Sequence, residues 1–341
     1  MFVISGVTGN TGSVAAQTLI DQGQPVRVIV RSEEKGARWK AQGAEIAIAE
    51  IMDTDAMTKA LSGASGAFFL LPPDLANEDF IGDSFKRAEA IVAAAKAARL
   101  PHAVVLSSVG AQHKEKVGPI SAIAHLEKLF IASSIPLSAV RPGYFLENIR
   151  DLMPAVFHEG VYPSMILPLD FKIDMVATKD IGLTVADALT NPPSIPHRVI
   201  ELKGAAQYSA EDIAAALSNS LNRQITAVPV PEEGWVDTLM QSGLSLQSAE
   251  SLAEMHRNIN NGRIDFLDPN AKKGRVELGE LRREVGRLSI INKGFASPSC
   301  SGEAIRYPRA SLIVANVRYG PWLCENAPIG LESWRLLWRS G

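Results

Sequence analysis

Short apolar runs alternate with longer stretches of helical periodicity through the first half of the chain. The apolar runs are continuous, which is typical of strands that are buried on both faces of a parallel sheet. Between them, Phe85–Ala98 and Ile120–Ser134 repeat apolar residues at helical spacing. This order predicts an α/β fold with a doubly wound parallel sheet. The predicted strands are Phe2–Ser5, Val26–Val30, Glu45–Ile48, Ala67–Leu71, Ala103–Ser107 and Leu137–Arg141.

The pattern loosens after Pro142. Later helices are predicted at Thr178–Leu189, Ala210–Leu221 and Ser248–Ile259, and later strands at His197–Leu202 and Ile225–Val230. We therefore expect a first domain over residues 1–155 and a smaller α+β C-terminal substrate domain over residues 156–287, with some of its segments returning to the first sheet. A doubly wound sheet binds ligands at the carboxyl ends of its strands, so the second domain should cover that crevice.

Residues 288–341 differ in character from the rest of the chain. They contain both cysteines, Cys300 and Cys324, three of the five tryptophans, and scattered proline and glycine without periodicity. The segment is either an unusual cap on the fold or non-native sequence, for example from a shifted reading frame. We expect a poorly ordered or loosely docked tail.

Gly6-Val-Thr-Gly9-Asn-Thr-Gly12 is the most informative stretch, because it follows the first predicted strand and opens an amphipathic helix. In this position Gly6 permits a tight turn, Gly9 lets the backbone approach a diphosphate, and Gly12 allows the helix to pack closely on the strand. Thr8, Asn10 and Thr11 can add hydrogen bonds. The spacing is one residue longer than GxGxxG, yet its context predicts a Rossmann-type dinucleotide site at a helix N-terminus.

Arg31 stands at the end of the second strand, where an acidic residue would hold the ribose hydroxyls of NAD. A guanidinium binds a 2′-phosphate and offers no acceptor to a hydroxyl, so this residue favours NADP, with NAD still possible. The alternative is a solvated surface arginine.

Charge and composition narrow the function further. The 341 residues carry a formal net charge of −3 without a basic stripe, which disfavours nucleic-acid binding. No apolar run approaches the roughly 18 residues of a membrane span, and Met1–Ser5 lacks the features of a signal peptide. The two cysteines fit no metal or CxxC spacing, and no GxSxG, HExxH or P-loop motif is present. We expect a cytoplasmic protein without a metal site.

With these motifs, residues 1 to about 285 resemble the NmrA-like branch of the atypical short-chain dehydrogenase/reductases, which includes quinone, azo-dye and triphenylmethane-dye reductases and redox-sensing regulators. The resemblance rests further on Phe69-Leu-Leu-Pro-Pro73, Leu106-Ser-Ser-Val-Gly-Ala111, His125-Leu-Glu-Lys128, Val140-Arg-Pro-Gly-Tyr-Phe-Leu-Glu-Asn148 and Val176-Ala-Thr-Lys-Asp-Ile181.

The resemblance implies roles for several residues at the carboxyl ends of strands. It implies that Leu71 and Pro72 line the cofactor and that Ser107 and Ser108 flank the nicotinamide ribose, although turn or cap chemistry explains these serines equally well. Tyr144 and Phe145 are candidates for an aromatic substrate wall or for interdomain core.

The acid machinery of typical short-chain dehydrogenases is missing, because no tyrosine is followed four residues later by lysine. His125 and Tyr144 remain as catalytic candidates, although a lone helical histidine is more often structural. Glu127 and Lys128 look like a solvated helix pair, while the family resemblance gives Glu127 a possible anchoring role.

Hydride transfer to a quinone or azo group needs no strong positioned acid, since water can protonate the product anion. The sequence therefore favours an NADPH-dependent reductase of a small conjugated or aromatic acceptor. The alternative is a non-catalytic NADP sensor that acts through a regulatory protein partner. A nucleotide-sugar epimerase or dehydratase is a weaker third possibility, because it would need the missing Tyr-Lys pair.

Overall fold

A computed structural model describes residues 1–113 and 115–280 of the chain. The predicted tail over residues 288–341 lies outside these described residues. In the part of the chain that is described, no helix is both long and apolar enough to cross a membrane.

The strands of the described residues include all eight predicted ones, with bounds that differ by at most two residues, and five short strands that the sequence did not predict. They are Phe2–Ile4 (β1), Val26–Val30 (β2), Glu45–Ile48 (β3), Gly66–Phe69 (β4), Ala103–Leu106 (β5), Leu137–Pro142 (β6), Tyr144–Phe145 (β7), Val161–Ser164 (β8), Ile173–Val176 (β9), His197–Lys203 (β10), Gln207–Tyr208 (β11), Thr226–Pro229 (β12) and Lys272–Lys273 (β13).

The helices alternate with these strands. They are Asn10–Asp21 (α1), Glu33–Ala41 (α2), Thr54–Leu61 (α3), Phe80–Ala97 (α4), Ile120–Ala132 (α5), Met153–Glu159 (α6), Thr178–Thr190 (α7), Ala210–Leu221 (α8), Trp235–Gln241 (α9) and Leu246–Asn260 (α10), with 3₁₀ helices at Leu146–Leu152 and Glu232–Gly234.

Two helices begin earlier than their apolar periodicity predicts, and a capping side chain explains each case. The carboxylate of Asp79 accepts a hydrogen bond from the Gly82 backbone N–H at 3.2 Å, so α4 begins at Phe80 and not at Phe85. The hydroxyl of Ser245 accepts from the Ser248 N–H at 3.2 Å and starts α10. N-capping residues satisfy N–H groups that the first helical turn leaves free.

The central sheet has the strand order β3-β2-β1-β4-β5-β6-β10-β13 in the described residues, and every neighbouring pair is parallel. Phe2 of β1 lies opposite Val26 on one side and Gly66 on the other. The chain winds outward from β1 to β3 and then returns to β4, so the direction of winding reverses between β1 and β4. In such sheets a ligand crevice opens at this reversal, beyond the carboxyl ends of the strands.

Apolar side chains fill a layer on each face of the sheet. One layer packs β-strand residues such as Val3 and Val105 against α3, α4 and α5. The opposite layer packs Ile4 and Val104 against α1, α2 and α7. All residues of β4 and β6 are buried, as continuous apolar runs predict. The doubly wound α/β fold predicted from the sequence is therefore confirmed.

Three elements that follow residue 155 belong to these central layers. β10 and β13 extend the sheet beyond β6, and α7 packs on α1. A Cβ atom at Gly182 of α7 would lie 2.6 Å from Cβ of Val14, so only glycine allows this close helix contact. The chain thus leaves the sheet near residue 143 and later returns to it. The domain boundaries themselves stay a prediction.

The other elements after β6 form a second lobe, which consists of β7–β9, β11, β12, α6, α8–α10 and the two 3₁₀ helices. Its small sheets have the orders β11-β9-β7 and β12-β8 among the described residues. A separate apolar core holds it together, with Leu146 and Val156 fully buried against Ile213 and Leu217 of α8. The lobe stands next to the carboxyl ends of the central strands, because β7 directly continues β6.

Candidate functional site

The glycine loop joins β1 to α1 and is shaped by its first and last glycines. Gly6 has a φ of 67°, a conformation that side chains disfavour. A Cβ at Gly12 would lie 2.5 Å from the Gly6 carbonyl oxygen, so α1 can approach β1 only because Gly12 has no side chain. Gly9 is different, since its Cβ would meet nothing closer than that same oxygen at 3.5 Å. The protein itself leaves the space at Gly9 open.

The N-terminus of α1 opens into this space. No side chain caps the helix, and its first turn contains no acidic residue. The first turn therefore offers free N–H groups and the positive end of the helix dipole to an anion. Thr8, Gly9 and Asn10 are exposed, whereas Thr11 is buried. An uncapped helix start and an open glycine fit the diphosphate of a dinucleotide.

A cleft of about 350 Å³ lies over the loop, between the central sheet and the second lobe. We call it the glycine-loop cleft. Its walls come from the glycine loop, the ends of β4 and β5, the start of α7, and the 3₁₀ segment of the second lobe. The lining residues are Gly6, Gly9, Asn10, Thr11, Leu70, Leu106, Phe145, Glu147, Asn148, Arg150, Asp151 and Thr178.

Arg31 directly follows β2, the neighbour of β1 in the sheet. Its side chain is exposed and makes no hydrogen bond or ion pair with another described residue. Ser32 next to it caps α2 by accepting from the Lys35 N–H at 3.4 Å. A free guanidinium therefore stands at the carboxyl edge where the sequence predicts it.

The segment after β4 supplies a different leucine from the one expected. Leu70 lines the glycine-loop cleft, whereas Leu71 packs against the core on the α3–α5 face of the sheet. Pro72 is partly buried, and its carbonyl accepts a hydrogen bond from Arg87 at 3.4 Å. Cofactor contacts of Leu71 and Pro72 remain a prediction.

A buried polar cluster holds the end of β5. Arg141 on β6 donates to the Glu127 carboxylate through Nε at 3.0 Å and through Nη2 at 2.6 Å. The hydroxyl of Ser107 donates to the same carboxylate. Glu127 is only 3% exposed, so the interpretation of Glu127 and Lys128 as a solvated pair is wrong for Glu127. A carboxylate buried this deeply requires a partner, and Arg141 lies 14 residues away in the chain.

Ser107 and Ser108, the predicted ribose contacts, lie at or next to this polar cluster. Ser107 is buried and its hydroxyl is engaged by Glu127, while the Ser108 hydroxyl donates to the Val109 carbonyl at 2.9 Å. Neither serine lines the glycine-loop cleft, although Leu106 just before them does. A ribose contact by Ser107 or Ser108 stays a prediction.

His125 lies where α5 packs on α4. Its ring stacks on Phe85 with centroids 4.2 Å apart, and Nε2 is 4.0 Å from the Glu89 carboxylate. Burial lowers the pKa of His125, with opposing effects from Glu89 and Lys128. This position is outside both cavities of the site, so the structure does not bring this catalytic candidate together with the glycine loop.

A second cavity of about 340 Å³ adjoins the glycine-loop cleft within the second lobe. We call it the apolar cavity. Asn148 and Asp151 of the 3₁₀ segment line both spaces, so this segment is their shared wall. The remaining lining residues are Leu75, Tyr144, Leu152, Tyr162, Pro163, Ser164, Met165, Ile166, Ile173, Met175, Tyr208, Ser209, Ala210, Ile213, Val230, Thr238, Leu239, Ser242, Leu244, Leu252, Met255 and His256.

The two aromatic candidates face different spaces. Tyr144 lines the apolar cavity and Phe145 lines the glycine-loop cleft, as neighbouring residues of a strand point to opposite sides. Burial raises the pKa of Tyr144, while a hydrogen bond with Asn148 lowers it and the charge of Asp151 raises it. Burial and the proximity of Tyr144 likewise raise the pKa of Tyr162. Both phenols therefore stay protonated at neutral pH.

His256 of α10 completes the aromatic side of the apolar cavity. Its ring meets Tyr144 and Trp235 edge-on, with centroids 6.4 and 6.1 Å apart. Nδ1 lies 2.8 Å from the Leu252 carbonyl, to which it must donate. Burial lowers the pKa of His256 against the smaller effect of that hydrogen bond, so the ring is neutral at pH 7.

Sequence reasoning missed Asp151, Tyr162 and His256. Asp151 follows the recognised segment by three residues, and its acidic character was the one signal available. Tyr162 and His256 are 94 residues apart, and only packing of the second lobe brings them to one cavity.

Comparison with known proteins places these features in a wider group. Residues 1–284 match the NmrA-like family. An NAD(P)H azoreductase of Xenophilus azovorans is 23% identical over 257 residues, which are 75% of this chain and 86% of the relative.

Solved structures share the fold. The NADPH-dependent quinone oxidoreductase of Escherichia coli, complexed with NADPH, has a TM-score of 0.72 and 23% identity over 84% of this chain and 99% of its own. NmrA, a negative transcriptional regulator, has a TM-score of 0.63 and 18% identity over 86% of this chain and 98% of its own. Because the family match extends over residues 1–284, as the sequence motifs predicted, the chain belongs to the NmrA-like family.

Proposed function

We propose that this protein is an NADPH-dependent oxidoreductase that transfers hydride to a small conjugated or aromatic acceptor such as a quinone or azo compound. The observation that carries the proposal is the meeting of two spaces at one wall. Asn148 and Asp151 separate a cleft built for a diphosphate from a cavity lined by aromatic and aliphatic side chains. A hydride donor and a flat acceptor in these two spaces would be neighbours.

The residues of the glycine-loop cleft would hold the dinucleotide at both ends. The loop from Gly6 to Gly12 and the first turn of α1 would bind the diphosphate through backbone N–H groups. Arg31 would bind the 2′-phosphate that distinguishes NADP from NAD. Leu106 and Phe145 would enclose the apolar end near the shared wall. The azoreductase and quinone oxidoreductase relatives use nicotinamide dinucleotides, which supports this cofactor assignment.

The apolar cavity supports a planar acceptor. Tyr144, Tyr162 and His256 give it aromatic walls, and Met165 and Met255 are soft side chains that adapt to different ring shapes. A quinone that receives a hydride from the bound cofactor becomes a hydroquinone anion, whose conjugate acid has a pKa of about 10 like other phenols. Water in the open cleft can protonate that anion, so the missing Tyr-Lys pair does not prevent turnover.

NADPH oxidation tests the proposal directly. The loss of near-ultraviolet absorbance is followed with purified protein and a panel of quinones and azo dyes, against a control without acceptor. We expect turnover with at least one neutral quinone and a preference for NADPH over NADH. Tight NADPH binding without turnover on the whole panel would contradict the enzymatic proposal.

Two observations favour a second candidate, a redox sensor that binds NADP and transmits the occupancy of its site to a protein partner. The fold is shared with the regulator NmrA. In addition, no tyrosine of this chain is followed four residues later by lysine, so the usual proton-transfer pair is missing. A sensor would bind NADPH and NADP⁺ with different affinities or effects and would show no turnover, so the same assay separates the two functions.

A further inference from the structure

The charges around the apolar cavity are unbalanced. Among its described lining residues there is no lysine or arginine, and Asp151 is the carboxylate. Asp151 is accessible to solvent. Burial by the surrounding walls nevertheless raises its pKa, against the opposing effect of Arg150. When Asp151 is ionised, the cavity presents one negative charge beside otherwise neutral walls.

The histidine of the cavity does not compensate this charge. Nδ1 of His256 is committed to the Leu252 carbonyl at 2.8 Å, and burial keeps the ring unprotonated. Tyr144 and Tyr162 are neutral as well. An anion that entered this space would lose water without gaining a cationic partner, which is costly in an apolar environment.

Arg150 and Glu147, which are close to Asp151 in the chain, line the glycine-loop cleft together with Asp151 but do not line the apolar cavity. Glu147 accepts hydrogen bonds from the Thr178 backbone N–H at 3.0 Å and from its hydroxyl at 2.6 Å, so it caps α7. Arg150 and Glu147 therefore bring charge to the glycine-loop cleft alone, and Asp151 is the one carboxylate among the described residues that also lines the apolar cavity.

We propose that Asp151 is a specificity-determining residue, which makes the apolar cavity accept neutral and cationic aromatic acceptors and disfavour anionic ones such as sulfonates. This inference rests on the proposed function and names its substrate class. A carboxylate in the shared wall attracts a delocalised cation and repels an anion, and the apolar walls amplify the difference because they exclude water.

Cationic acceptors also suit the missing acid. When a carbocation-type dye receives the hydride, the C–H bond at C4 of the dihydronicotinamide breaks and a C–H bond forms at the electrophilic carbon. The dye becomes neutral and the nicotinamide becomes cationic, so charge is conserved without a proton. A neutral quinone needs the same hydride and one proton, which water supplies.

The test compares the Asp151→Asn variant with the parent on three flat acceptors: 1,4-naphthoquinone, a sulfonated naphthoquinone and a cationic triarylmethyl dye, at pH 8 and low salt. Intrinsic reactivity cancels in the variant-to-parent ratio of kcat/KM for each compound. Relative to the ratio for the neutral quinone, which absorbs any general effect of the variant, we expect the ratio to be about three- to tenfold higher for the sulfonate and about three- to tenfold lower for the cation.

Two controls sharpen the comparison. Asp151→Glu keeps the charge and should retain the parent's selectivity. Asp170→Asn removes the same charge from an exposed position of the second lobe that lines neither cavity, and should change none of the three ratios. Added salt should shrink the Asp151→Asn effect, since salt screens charges near solvent. Equal ratios for all three acceptors would overturn the proposal.

Failure of the proposed function would be recognised separately, as absence of turnover on the neutral quinone by the parent protein. In that case the affinities of the same three compounds for parent and variant are compared by equilibrium binding, which needs no turnover. Trp235 packs edge-on against His256 of the cavity, so quenching of tryptophan fluorescence follows occupancy. Binding that is weaker for the anion and that Asp151→Asn makes equal would support the role of Asp151, and binding indifferent to charge would refute it.

Discussion

Gly12 lies so close to Gly6 that a Cβ atom on Gly12 would stand 2.5 Å from the Gly6 carbonyl oxygen, well inside van der Waals contact. The neighbouring Ser5 carbonyl oxygen would be 2.8 Å away. This packing draws the start of α1 against the end of β1 and thereby aims the helix N-terminus into the glycine-loop cleft. Gly9, between them, has no such contact. Within one motif, Gly12 is therefore required by packing, whereas the packing of the protein alone does not require glycine at position 9.

We predict that Gly12→Ala destabilises the fold whereas Gly9→Ala weakens only cofactor binding. The Gly12 variant must shift backbone atoms, at a cost of about 1–3 kcal/mol in the free energy of unfolding. Gly9 has a φ of −102° and open space, so alanine is tolerated there until a diphosphate approaches. Chemical denaturation without ligand and calorimetric titration with NADPH measure the two effects. An unchanged NADPH affinity of a folded Gly9→Ala protein would contradict the assignment of the cradle.

Arg31→Asp should weaken NADPH far more than NADH. The exposed guanidinium makes no hydrogen bond or ion pair with another described residue, so we expect its replacement to leave the fold intact and to remove a cation that only the 2′-phosphate needs. A charge-assisted contact of this kind contributes about 1.5–3 kcal/mol, or roughly 10- to 150-fold in Kd. The matched control is Arg99→Asp, the same charge change at an exposed site. Arg99 precedes β5 and so lies on the amino-terminal side of the strands, away from the glycine loop. Equal losses for both nucleotides would refute this role of Arg31.

Most of the fold was predictable because its signals are local. The strands β2 and β3 have the predicted bounds, and the other predicted strands of the central sheet differ by one or two residues at one or both ends. Continuous apolar runs predict buried strands, and glycine motifs predict turns, from only a few neighbouring residues. A return of later segments to the sheet was predicted, but the place of β10 beside β6 was not, and β13 was not predicted as a strand, since strand order depends on contacts between distant segments.

The site was predictable to a smaller extent for the same reason. Gly6 to Gly12 form one turn, and its predicted role as a diphosphate site rests on residues that are close together in the chain. Glu127 is different, because its environment is set by Arg141 on another element, and a helical Glu-Lys sequence by itself looks solvated. His256 gives no sequence signal at all, since a histidine amid an amphipathic helix becomes part of a cavity only when α10 packs beside β7.

Glu127→Gln should destabilise the protein by about 3–5 kcal/mol, because it leaves the Arg141 charge buried without its carboxylate partner. Ser107 loses its charged acceptor in the same variant. A double variant, Glu127→Leu with Arg141→Met, removes both charges and should regain much of that loss. Denaturation by urea measures both proteins. A double variant as unstable as the sum of the single losses would show that the pair is worth no more than packing.

His125→Gln should leave kcat and KM within about twofold of the parent. The ring stacks on Phe85 between α4 and α5 and lines neither cavity, so we infer a packing role. The loss is expected in thermal stability, at about 0.5–1.5 kcal/mol for one aromatic pair. Steady-state NADPH oxidation with a quinone measures turnover. A loss of 100-fold in kcat with unchanged thermal stability would restore His125 as a catalytic residue.

Stability should fall as pH drops from about 6.5 to 4, and His102 should account for part of the loss. Burial, with a further effect from Arg198, lowers the pKa of His102 from 6.5 to about 4. Above pH 6.5 the ring is neutral in both states, so its effect on stability is constant. Between pH 6.5 and about 4, His102 binds a proton in the unfolded chain but not in the folded protein, which favours unfolding. Below about pH 4 the ring is protonated in both states, so its effect on the free energy of unfolding no longer changes.

The surroundings of His102 explain why its pKa is lowered in the folded protein. Ser138 lies between the two basic groups, with its hydroxyl 3.1 Å from His102 Nε2 and 3.0 Å from the Arg198 guanidinium. The hydroxyl accepts from Arg198 and also pairs with Nε2. Nδ1 of His102 is buried without a hydrogen-bond partner among the described residues, so a doubly protonated ring would bury an N–H without an acceptor close to the Arg198 charge. His102→Gln should therefore reduce the acid loss by roughly 1–3 kcal/mol. His158→Gln, at an exposed position, is the control. Unfolding at pH 7.5 and 4.5 decides the matter, since equal acid losses in parent and His102→Gln would assign the sensitivity to other groups.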